Sequence, residues 1–135
     1  LYVTVCNNRI YNHFQIFIFL FKFAKPAQVF QGLSDSAGDL SRFTPYTFAK
    51  AVTMGSDYAH DAMSKPREGT ILSVIAAFAT SVDDGARHSA DDGFAALLGN
   101  ALEQSKQALA ETQEQLDVLR KAGVVDAGAK GFVDL

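Results

Sequence analysis

From residue 27 onward the apolar positions return at intervals of three and four residues, a period that predicts helices. AQVFQGL (27–33) reads as the end of a helix with Gly32 near its stop, and SDSAGDLSRF (34–43) as a polar connection. Thr44-Pro45 is a strong helix start. Threonine caps the first turn, and proline sits where its missing N–H leaves nothing unpaired. This helix is predicted to run to about Ser64, with Phe48, Val52, Gly55, Ala59 and Ala62 on one face. Small residues dominate that stripe, so a neighbouring helix can approach closely. Lys65-Pro66 ends it, because proline disfavours helix at the residue before it. The next helix begins near Gly69-Thr70 and runs ILSVIAAFATSV. Apolar residues cover much of its circumference, which marks it as the most buried helix.

Residues 83–90 (DDGARHSA) read as a loop, and Ser89 followed by Asp92 as a capping-box variant. The helix after it places Phe94, Leu97, Leu98, Ala101, Leu102, Ala108 and Leu109 on one side. Thr112 and Gln115 have capping-box spacing, which predicts a short helix through Leu116 and Leu119, stopped by a left-handed Gly123. Val124-Val125 is a short apolar link. Asp126 then caps a last helix holding Phe132 and Leu135. With no period-two alternation after residue 26 and no internal repeat, the expected fold is all-α.

The first 26 residues differ in kind. They carry Arg9, Lys22 and Lys25 and no acid, and FQIFIFLFKFA (14–24) holds five of the chain's 11 phenylalanines. The run Ile16–Phe21 is far shorter than the ~20 residues of a membrane helix. Several readings stay open: an apolar segment packed on the domain, an aggregation-prone window, a secretory signal with an overlong polar start, or residues foreign to the domain. The expected division is 1–26 as an atypical apolar segment and 27–135 as the helical domain.

Fifteen acids against nine bases give residues 27–135 a net charge of about −6, and −3 for the whole chain. A general nucleic-acid binder needs a basic face instead. The single cysteine, Cys6, cannot form an internal disulfide, so a reducing, cytoplasmic setting is expected. His13, His60 and His88 lack zinc-ligand spacing, and no Ser-His-Asp or Cys-His constellation is readable.

Two stretches suggest chemistry. Lys65-Pro-Arg-Glu-Gly-Thr70 joins two helices and ends at a helix N-terminus with free N–H groups, where Gly69 lets a ligand approach and Thr70 adds a hydroxyl. A plain capped turn explains the same residues more economically. Gly123–Gly131 (GVVDAGAKG) packs three glycines and Asp126 into a tight helix-to-helix turn. That carboxylate suits a nucleotide base or sugar, or the next helix's own N–H groups. The stretch is not a P-loop, since it lacks GxxxxGK[ST] and a preceding strand. The pairs Asp83-Asp84 and Asp91-Asp92 are better explained as solvated charge than as a metal site. No catalytic or metal-binding residue is assigned.

In order and spacing, AQVFQGLSD, KPREGTILSVIAAFA and QALAETQEQLDVLRKAGVVDAGAKGFVDL resemble the DhaL (DAK2) domain of the dihydroxyacetone-kinase L type. The nearest subtype is the N-terminal domain of the fatty acid kinase A subunit. The resemblance covers about residues 27–135. It implies an antiparallel helical barrel or bundle, incomplete at the N-terminus, with ATP and magnesium at one end. It also implies γ-phosphoryl transfer to a fatty acid on a separate DegV-like fatty-acid-binding protein, or to dihydroxyacetone on another subunit. Carried over by motif, Gly69 and Thr70 match the nucleotide-contacting turn, and Asp126, Ala127 and Gly128 match the Asp-x-Gly segment near the nucleotide. Thr112 and Gln113 fall in the region lining the base.

The chain also departs from that family. The DGDTG-like aspartates that hold magnesium have no counterpart before Asp35, and IFLFKFAKP stands in place of the GNSG-like phosphate loop. Phosphoryl transfer depends on metal and oriented donors to neutralise developing charge. This chain alone is therefore expected to be an inactive partial copy. A non-catalytic assembly module, as a homodimer for example, is the alternative.

Overall fold

The computed structural model describes residues 27–38, 42–88 and 93–135. The expectations for residues 1–26, for Asp91-Asp92 and for a Ser89–Asp92 capping box lie outside these. Among the described residues six helices follow in order: α1 (27–37), α2 (Pro45–Asp61), α3 (Ile71–His88), α4 (Gly93–Gln115), α5 (Asp117–Ala122) and α6 (Ala127–Val133). No strand occurs among the described residues.

Several boundaries differ from the sequence reading, two of them near the start of the described chain and at the end of α3. The first helix does not stop at Gly32 but continues to residue 37. Gly32 is instead a crossing point, where a side chain would lie 2.3 Å from the Gly55 nitrogen of α2. The small-residue stripe containing Gly55 does accept a close neighbour, and α1 is that neighbour. Residues 83–88 are the last turns of α3, not a loop. There Asp83 accepts a hydrogen bond from Arg87 Nε at 2.8 Å, an i,i+4 pair that suits a helix surface.

Thr44 caps α2 as the sequence indicates. Its hydroxyl accepts the Thr47 N–H at 3.2 Å, and Thr47 Oγ1 accepts the Thr44 N–H at 2.8 Å, closing a capping box with threonine in the usual Glu/Gln place. The helix ends at Asp61, three residues earlier than Ser64, and Ala62 is exposed. Thr44→Ala is expected to lower stability by about 1 kcal/mol, measured by urea unfolding.

The core forms two clusters that fix the topology. Ala59 of α2, Ile71, Leu72, Val74 and Ile75 of α3, Leu109 of α4, and Ala129 of α6 pack together with Val29 of α1. Ala49 of α2, Val82 and Ala86 of α3, and Leu97 and Ala101 of α4 form the second. The start of α3 thus meets the ends of α2 and α4, and its end meets their starts, so both neighbours run antiparallel to α3. Edge-to-face ring pairs Phe48–Phe94 (centroids 5.6 Å apart) and Phe78–Phe132 (5.9 Å) add to this packing. α3 carries seven buried residues, more than any other of these helices, as its sequence predicts.

On α4 the buried row is Leu97, Ala101, Ser105, Leu109 and Thr112, while Leu98 and Leu102 stay on the surface. The predicted face was too wide by those two leucines. Ser105 is tolerated in the core because its hydroxyl donates to the Ala101 carbonyl at 2.8 Å.

Candidate functional site

The turn before α3 holds itself together. Thr70 caps the helix: its Oγ1 accepts the Leu72 N–H at 3.3 Å and donates to the Arg67 carbonyl at 2.8 Å. Ser73 reaches back, accepting the Gly69 N–H at 3.0 Å and donating to Glu68 Oε2 at 2.6 Å. Gly69 adopts φ +74°, which favours glycine. It is buried against the end of α4, where a side chain would meet Gln115 Cβ at 2.8 Å and Leu116 Cγ at 3.0 Å. Lys65 and Arg67 are exposed beside it. Sequence reasoning missed Ser73 and Glu68, though the Thr70-x-x-Ser73 spacing carries the signal of a capping box.

Thr112 does not cap α5. It sits three residues inside α4, fully buried, and the residue preceding α5 is Leu116, which makes no side-chain cap. Burial decides this. The Thr112 hydroxyl donates to the Leu109 carbonyl at 2.7 Å and accepts the backbone N–H of Asp126 at 3.1 Å. One side chain therefore ties α4 to the second corner, 14 residues on.

That corner forms as its sequence predicts. Gly123 (φ +66°) closes α5, with its own N–H on the Arg120 carbonyl and the Val124 N–H on the Leu119 carbonyl, a Schellman closure. Asp126 caps α6, its Oδ1 accepting the Ala129 N–H at 2.8 Å. Gly128 faces α3: a Cβ there would lie 3.6 Å from Ile71 Cβ and 3.2 Å from Asp126 Oδ1. Ala127 is exposed and Gln113 half-buried. Leu135, expected within the last helix, lies beyond its end at Val133 and is exposed.

The two corners lie at the same end of the bundle. Gly69 abuts Gln115 and Leu116, Gly128 abuts Ile71, and the Thr112–Asp126 bond joins them. Thr112→Val keeps the shape but strands a half-buried N–H, and is expected to cost about 1–3 kcal/mol. Thr112→Ser should restore most of it. Chemical denaturation of both variants checks this.

Elsewhere, a groove of about 400 Å³ between α2 and α3 is lined by Tyr46, Lys50, Thr53, Met54, Asp57, Asp83 and Arg87. Its charges are balanced, and the hydrogen bond and charge of Asp83 raise the Arg87 pKa above its ordinary value. Among the described residues no three His, Cys, Asp or Glu side chains converge to hold a metal ion. No helix among them is long and apolar enough to cross a membrane.

An antiparallel helical bundle with a KPREGT corner and a GVVDAG corner closing one end is a DhaL-type domain. The chain belongs to the DAK2 domain family, which matches residues 26–135. It is 36% identical over 107 residues to protein YloV of Bacillus subtilis, covering 79% of this chain and 19% of that protein. An uncharacterized protein of Staphylococcus saprophyticus is likewise 36% identical, over 108 residues, with 78% and 19% covered. Another from Staphylococcus epidermidis is 31% identical over 107 residues, with 79% and 19% covered. The chain thus spans about a fifth of the length of the curated relatives it matches.

Proposed function

We propose that the chain is part of a phosphotransferase domain of the DhaL type, and that its paired corners supply one wall of an ATP site. The single observation carrying this is the coupling of Gly69 and Asp126 through the end of α4, at the same end of the bundle. Gly69, Thr70, Thr112, Asp126, Ala127 and Gly128 are the residues assigned to that wall. Family membership supports a kinase-related domain. The acceptor is one of the family's two kinds: a fatty acid carried by a separate fatty-acid-binding protein, or dihydroxyacetone on a partner subunit.

The described residues fit this role only in part. Two N–H groups at the start of α3, those of Gly69 and Leu72, already bond to Ser73 and Thr70. Asp126 Oδ1 and the Thr112 hydroxyl are engaged as well. What this chain contributes is therefore the shape of a wall and the Asp126 carboxylate. The wall residues Gly69, Thr70, Thr112, Asp126, Ala127 and Gly128 include a single carboxylate, too few to hold magnesium without further ligands. Bound magnesium would neutralise charge on the phosphates.

Titration calorimetry with ATP and magnesium tests the proposal. Weak binding, abolished by Asp126→Ala and without phosphoryl transfer, is the expected result. Robust turnover by the purified chain would overturn the inactive reading. A melting temperature that nucleotide leaves unmoved, in a dimeric chain, would favour the second reading, a non-catalytic assembly module. That reading draws on the same internal capping bonds.

A further inference from the structure

Along the outer side of α2 runs a strip of exposed side chains that the paired corners do not use. Lys50 and Asp57 are both exposed there and line the groove beside α3. Seven residues make nearly two helical turns, so the two charges share a face, about 10 Å apart along the axis. Thr53 and Met54 stand midway between them. One turn further out lie Tyr46, 67% exposed, and Asp61, whose carboxylate is 3.7 Å from the His60 ring. Gly55, where α1 crosses, lies on the opposite side of α2 and leaves the strip clear of that helix. Asp83 and Arg87 of α3 pair with each other. The ion pairs among the described residues include neither Lys50 nor Asp57.

The order of these charges opposes the dipole of α2. Acids stabilise a helix near its N-terminus and bases near its C-terminus. Yet α2 has no acid in its first turn, and Asp57 and Asp61 stand in its last two turns. The helix by itself gains nothing from this order, whereas a second, antiparallel α2 does. We propose that the strip pairs with the same strip of a second copy of this chain, about a two-fold axis between Thr53 and Met54. That symmetry sets Lys50 of each copy against Asp57 of the other, and Tyr46 against Asp61. The second copy's Asp61 then lies beside the first turn of α2, where an acid is stabilising and α2 has none. The Tyr46 ring leaves water, and its hydroxyl can donate to that carboxylate. Half-buried Met54 adds an adaptable apolar side chain at the axis. A second copy fits better than an unrelated protein, because one helix carries both charges in an order that a two-fold axis returns onto itself, as an isologous interface requires. Exposed ion pairs are individually weak and screened by salt, so the dimer is reversible and salt-sensitive. This inference stands apart from the nucleotide reading, since no residue of the proposed wall lines the groove.

The test is analytical ultracentrifugation of the full chain and of two charge reversals, at submillimolar concentration and low salt. Helical circular dichroism confirms that each variant folds, as expected for exposed positions. The parent should dimerise, and high salt should weaken the dimer. Lys50→Glu leaves only acids at the two charged positions and Asp57→Lys only bases, so each variant alone should associate about tenfold more weakly or worse. Mixing the two variants restores both opposite-charge pairs, and a heterodimer of about parental affinity is the expected result. A parent that stays monomeric overturns the proposal. So do single reversals that dimerise as the parent does, or a mixture that associates no better than its components.

Discussion

Gly32→Ala is expected to destabilise the protein by about 2 kcal/mol, although alanine is the better helix former. In an open helix the exchange gains roughly 0.5–1 kcal/mol. At position 32 the added Cβ would sit 2.3 Å from the Gly55 nitrogen and 2.4 Å from its Cα. Those are backbone atoms of α2 and cannot rotate aside, so the helices must separate. Overpacking of this kind costs about 1–3 kcal/mol or more, and the absence of a flexible partner puts this site at the upper end. Gly55→Ala should behave alike, since its Cβ would meet the Val29 backbone at 2.7 Å. Gly99 supplies the contrast: it lies within α4 with nothing near its built Cβ, so Gly99→Ala should gain up to about 1 kcal/mol. Urea unfolding of the variants reads the opposite signs. Equal stability of Gly32→Ala and the parent would mean that α1 does not cross α2 at this distance.

The second large effect is at the corner. Gly69→Ala meets two penalties: a left-handed backbone at φ +74°, and a Cβ 2.8 Å from Gln115 Cβ and 3.0 Å from Leu116 Cγ. The first costs roughly 1–2 kcal/mol and the second about as much again, for a loss of some 2–4 kcal/mol. Gly123→Ala separates the two, because Gly123 has φ +66° but nothing near its built Cβ. It should lose only about 1–2 kcal/mol. Denaturation curves give the difference. If both variants lose the same amount, the α3 turn does not press on the end of α4, and the observation behind the proposed nucleotide wall fails with it.

These glycines also mark where local reading stopped. Gly32 looked like a helix stop because glycine often ends helices. Nothing nearby in the chain says that another glycine, 23 positions on, will lie against it. Thr112 was misread for a related reason. Its spacing to Gln115 imitates a capping box, but cap and buried helical threonine differ only in what surrounds them. Asp83 and Asp84 looked like a loop because charge and Gly85 cluster there, yet the i,i+4 pairing of Asp83 with Arg87 sits well on a helix.

What the amino-acid order determined by itself is local: the all-helical class, the Thr44 cap, the Gly123 closure and the Asp126 cap. Each depends on bonds between residues at most five apart in the chain, where propensity and capping are strong. Tertiary structure alone decided that Gly69 abuts Gln115 and Leu116, that Thr112 holds Asp126, and that α1 crosses α2 through paired glycines. Those contacts span 14 to 47 residues, and hydrophobic burial, which brings such distant segments together, is non-directional. Only the packed bundle selects which faces meet.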